Sequence, residues 1–64
     1  MSSLGDLSSK TAKLVYLYLT ERGEATADEL ASALDERLLT LLPVLRTLED
    51  HGLVAKRDGR YAPA

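Results

Sequence analysis

The chain contains no cysteine, which excludes disulfides, zinc ribbons and thiol nucleophiles. Its single histidine, His51, cannot build a metal site without carboxylate help. No glycine-rich loop is present to cradle a phosphate, and the only His–acid neighbours are Asp50-His51. His51 is expected at the end of a helix, where a histidine suits the helix dipole, rather than in catalysis. On this inventory the chain is not expected to be an enzyme or to hold a cofactor or metal. No apolar run approaches the roughly 18 residues that span a membrane. The N-terminus also lacks the charged-then-apolar layout of a secretory signal. The expectation is therefore a soluble, cytoplasmic protein without membrane contact. Lysine is scarce, with only Lys10, Lys13 and Lys56, while Asp, Glu, Ala and Thr are plentiful. That balance suits a salt-rich cytoplasm.

What is present bounds the architecture. The length of 64 residues allows one small domain. Such a domain buries only about 60% of its unfolded surface and is marginal alone, so burial against a partner is expected. An apolar fraction of 45% is that of a folded domain rather than a disordered one. Ten acidic against eight basic residues give a net charge of -2, the wrong sign for a typical nucleic-acid binder. Two readings stay open on charge alone: a protein-binding module, or a DNA binder whose positive charge is gathered locally.

Residues 1–6 are small and polar apart from Leu4 and are expected to fray. A single domain then covers 7–64. A first helix is predicted over about residues 8–22, capped by Ser8 or Ser9, with Val15, Tyr16 and Leu19 at helical spacing and Gly23 as its stop. Leu14, Leu17 and Tyr18 form a second apolar stripe on it, either buried within the monomer or forming a homodimer contact. Thr26-Ala27-Asp28-Glu29 is a capping box that starts a second helix over about residues 27–34, with Leu30, Ala31 and Leu34 facing inward. Glu24-Ala25 before it can add a short edge strand. Asp35-Glu36 forms a turn. Leu41, Leu45 and Leu48 mark a third helix over about residues 37–51, with Val44 beside them and Gly52 at its end. Pro43 is tolerated without cost only in a first turn, so a kinked or irregular early start is expected. Asp58-Gly59 is the preferred two-residue type I′ turn. It predicts a hairpin over about residues 53–62 that pairs Arg57 with Arg60, Lys56 with Tyr61 and Ala55 with Ala62.

Three helices followed by a hairpin form a mainly α fold, the winged helix-turn-helix. Thr26-x-x-Glu29-Leu30-Ala31, followed by Leu45-x-x-Leu48-Glu49-x-x-Gly52-Leu53-Val54, resembles the frame of MarR- and ArsR-like winged helices. The stretch from Val15 to Thr26 is most similar to the N-terminal domain of archaeal TrmB-type regulators. The resemblance runs from about Leu4 to Tyr61. It implies a transcriptional regulator that binds double-stranded DNA, with the third helix in the major groove and the wing on the flanking backbone. Regulators of that type carry a sugar-sensing domain after the winged helix. This sequence reaches Ala64 without one, so the expected routes for a signal are abundance, oligomerisation or a partner.

The resemblance places Arg37, Thr40 and Arg46 on the DNA through the third helix, and Lys56, Arg57 and Arg60 through the wing. The outward stripe of that helix is unusual. It carries Leu39, Leu42, Pro43, Arg46 and Asp50, and leucine cannot discriminate bases by hydrogen bonds. Leu38, Leu39 and Leu42 are open to another reading, packing onto the second helix or onto a protein partner. Arg57 and Arg60 facing one another cost stability, which either Asp58 or an incoming phosphate would relieve. Few phosphates are neutralised per subunit, so useful affinity is expected to require a homodimer.

Overall fold

The computed structural model describes residues 10–64. The expectations for the first nine residues, including the fraying start and the Ser8 and Ser9 caps, lie outside the described residues. Among the described residues three helices and a three-stranded antiparallel sheet follow one another: α1 Lys10–Arg22, β1 Ala25–Thr26, α2 Ala27–Leu34, α3 Leu38–Asp50, β2 Val54–Arg57 and β3 Arg60–Pro63. This is the winged helix-turn-helix.

Helix α1 buries Ala12, Val15 and Leu19. It stops at Gly23, whose N–H donates to the Leu19 carbonyl at 2.7 Å with φ at +92°. A residue bearing a Cβ is strained there. The edge strand lies one residue later than the sequence suggested, at Ala25–Thr26 rather than Glu24-Ala25, and runs straight into α2.

Thr26 does two jobs at that joint. It pairs with Arg60 in the sheet and caps the helix. Its hydroxyl accepts the Glu29 N–H at 3.1 Å, while the Glu29 carboxylate accepts the Thr26 N–H at 2.8 Å. Two of the helix end's free donors are thereby satisfied. Thr26→Ala is expected to cost about 1 kcal/mol, read as a lower urea midpoint at unchanged slope. An unchanged midpoint would mean that the cap adds nothing.

Helix α2 closes on Asp35, which adopts the left-handed conformation (φ 55°, ψ 45°) that aspartate tolerates better than most residues. The Glu36 N–H then reaches the Ala31 carbonyl at 2.9 Å. After the turn Asp35-Glu36-Arg37, α3 begins with Arg37 as its N-cap. The Thr40 and Leu41 N–H groups both point to the Arg37 carbonyl, at 3.0 and 3.2 Å, so the first turn is tightened. Helical structure runs through Pro43, beyond the first turn. The missing N–H leaves the Leu39 carbonyl without its helical donor. Leu39 is 80% exposed and Pro43 is exposed, so water can supply the bond. The helix ends at His51, whose ring Nδ1 lies 2.8 Å from the Thr47 carbonyl. A carbonyl only accepts, so Nδ1 carries the proton and caps the helix.

In the wing, Asp58 and Gly59 both have positive φ, 53° and 79°, as a type I′ turn requires. The register is Ala55 with Ala62, Lys56 with Tyr61 and Arg57 with Arg60. β3 is the middle strand, in the order β1-β3-β2. The core lies between helices and sheet. Val15, Leu19, Leu30, Leu41, Leu45 and Leu48 are fully buried, joined by Ala12, Ala25, Val54 and Tyr61. Leu41, Leu45 and Leu48 thus form the inner stripe of α3, and the partly buried Ala31, Leu34 and Val44 pack against the core.

Candidate nucleic-acid interface

The outward face of α3 is open. Leu39, Leu42, Pro43, Arg46 and Asp50 are all exposed. Leu39 does not pack onto α2, and Leu38 and Leu42 keep 37% and 42% of their surface. Arg46 is the one long donor on this stripe, and its Nε lies 3.6 Å from the Asp50 carboxylate. Both side chains are largely solvated, so the pair contributes no more than about 0.5 kcal/mol. An anion can displace Asp50 readily.

Arg37 and Thr40 stand exposed at the start of α3. That helix has no side-chain cap and no acidic residue in its first turn, whereas α2 has the Thr26 cap with Asp28 and Glu29. The first N–H groups of α3 and the positive end of its dipole therefore face outward without an internal anion.

Sheet pleating splits the three wing cations. Residues directly opposite on paired strands share a face, and successive residues alternate. Lys56 sits with buried Tyr61 on the core side, its Nζ 5.6 Å from the ring centroid. Arg57 and Arg60 face one another on the other side, both exposed. Among the described residues the one ion pair is Arg46–Asp50, so Asp58 forms no ion pair with either arginine. Like charges placed directly opposite cost about 0.2–1 kcal/mol.

A further cation escaped the sequence reading. Arg22, the last residue of α1, borders the same depression as Arg57 and Arg60. Its guanidinium carbon lies 5.6 Å from the Tyr18 ring centroid. Linear spacing gives no hint of this, because the Gly23 turn alone brings the helix end to the sheet.

The second stripe of α1 divides. Leu14 and Leu17 are each 52% exposed, whereas Tyr18 packs partly against the core and carries Arg22 on its ring. The described residues hold no group of three or more His, Cys, Asp or Glu that could bind a metal. No described helix is long and apolar enough to cross a membrane.

A search of curated proteins and one of solved structures each returned no match. The family model described as the sugar-specific transcriptional regulator TrmB matches residues 6–63, a span that takes in all three helices and the wing. That family is one of transcriptional regulators, not of enzymes. With nearly its whole length matched and a winged helix-turn-helix fold, the chain belongs to the TrmB family of transcriptional regulators.

Proposed function

We propose that the chain regulates transcription in the cytoplasm by binding double-stranded DNA as a homodimer. The third helix lies in the major groove, where Arg37, Thr40 and Arg46 anchor it. Lys56, Arg57 and Arg60 of the wing hold the backbone. The observation that carries this reading is the Arg57–Arg60 pair, two like charges held opposite one another and, among the described residues, without a carboxylate within 4.0 Å. A phosphate relieves that repulsion and accepts bidentate bonds from guanidinium groups. The uncapped start of α3 offers a second phosphate position beside Arg37. Base readout is weak, because leucines dominate the outward stripe. Affinity therefore rests on phosphates and on doubling their number in a dimer. Purified protein is expected to retard duplex DNA at low ionic strength, with retardation lost as salt rises. Absence of any salt-sensitive shift ends this reading.

The dimer contact is proposed to run through Leu14 and Leu17, with Tyr18 at its margin. Their half-exposed side chains present an apolar strip on a domain too small to cover it. Sedimentation of Leu17→Glu is expected to give the monomer mass. An unchanged dimer mass removes the α1 interface.

Leu39, at 80% exposure, favours a second reading, in which Leu38, Leu39 and Leu42 dock a protein partner. The two separate cleanly. Substituting the wing arginines removes DNA binding under the first and leaves partner docking intact under the second.

A further inference from the structure

On the sheet face turned away from the core lies an open depression of about 730 Å³. The small cross-strand pair Ala55–Ala62 lines it, and Arg57 and Arg60, the next pair on the same face of the hairpin, stand beside them. Arg22, at the end of α1, borders it as well, its guanidinium carbon 5.6 Å from the Tyr18 ring centroid. Three arginines from two separate parts of the chain thus border one hollow in a protein whose net charge is -2. Glu24 and Asp58 border it too, yet neither carboxylate comes within 4.0 Å of a guanidinium nitrogen. The arginines are arranged around space rather than around an internal acid.

We propose that this depression is a binding site for a phosphate group, in which Arg22 joins Arg57 and Arg60. Guanidinium forks match phosphate oxygens bidentately and keep their charge at any physiological pH. A bound anion removes the mutual repulsion of the three side chains. The alanines leave room for the group esterified to the phosphate. For Arg57 and Arg60 the inference rests on the wing's role as a grip on the DNA backbone; Arg22 lies outside that role. The phosphate has two possible sources, the backbone of duplex DNA or a free phosphate ester. A free ester would compete with DNA for the same two wing arginines and so release the wing.

The test uses Arg22→Gln, a change at an exposed position that keeps a polar side chain and removes the charge, with its fold checked by the amide spectrum. In one arm, inorganic pyrophosphate is titrated at constant ionic strength while the arginine Nε–H signals are followed. The wild type is expected to show Arg22, Arg57 and Arg60 moving together along one saturable curve. Arg22→Gln is expected to weaken that binding roughly tenfold, the scale of one charge-assisted contact. In the other arm, duplex DNA binding is measured against salt. A slope of log K on log salt lower by roughly 0.9 per subunit in Arg22→Gln assigns the phosphate to DNA. An unchanged slope with weakened pyrophosphate binding assigns the site to a free ester. The proposal is overturned if Arg22→Gln changes neither readout. Wild-type protein that takes pyrophosphate through the three arginines but ignores DNA would sink the DNA reading and leave the site standing.

Discussion

The double variant Arg57→Ala/Arg60→Ala is expected to lose DNA binding while folding as well as the parent. Each arginine neutralises about one phosphate, so a dimer loses four contacts. The slope of log K on log salt then falls by roughly 3.6, and affinity near 0.1 M salt drops on the order of a thousandfold. Stability should move the other way. Removing a like-charge pair from directly opposite positions relieves about 0.2–1 kcal/mol of repulsion. A variant that is slightly more stable yet blind to DNA separates function from folding. Binding that persists with the parental salt slope would show that the wing does not hold the backbone, and would turn attention to the leucine face of α3.

The largest effect on stability is expected at Leu45. It is fully buried among Leu41, Leu48 and the residues of α1 and the sheet. Truncation to alanine removes its transfer free energy and leaves a cavity, together about 2–5 kcal/mol. A domain of this length holds roughly 3–10 kcal/mol in total, so the melting temperature should fall by about 10–30 °C. The same substitution at Leu39 on the same helix is expected to shift stability by less than about 0.5 kcal/mol, because that side chain is already 80% exposed. Calorimetry of the two variants side by side checks the assignment of the leucine run to two faces. Equal losses would refute it.

That run shows where sequence reading works and where it stops. Leu41, Leu45 and Leu48 recur at helical spacing, and periodicity alone marks them as core. The Thr26–Glu29 cap and the Asp58-Gly59 turn are equally local. Each depends on residues a few positions apart, and the turn fixed the wing register residue by residue. Periodicity says nothing about whether a second apolar stripe meets a neighbour. It left Leu39 open between burial and exposure, and grouped Tyr18 with Leu14 and Leu17 although Tyr18 leans into the core. Pro43 was legible as a problem but not as its setting, because the exposure of Leu39 and Pro43 that leaves the carbonyl open to water is a property of the fold. Arg22 was illegible for a different reason. Its meeting with the wing arginines depends on how the Gly23 turn aims α1 at the sheet, a tertiary fact that no spacing encodes.

The wing has a root and a tip of different character. At the root, Val54 and Tyr61 are buried in the core, and β3 is flanked by strands on both sides. At the tip, Arg57 through Arg60 are exposed without exception. Amide hydrogens follow the same division, since exchange from core-anchored strands needs global opening whereas solvent-facing turns open locally. Protons near Tyr61 should therefore exchange only as the whole domain unfolds, while those at the tip exchange orders of magnitude sooner. The arginines thus ride on a solvent-facing end whose base cannot shift without disturbing the core, so contact at the tip can be made without straining the helices behind it.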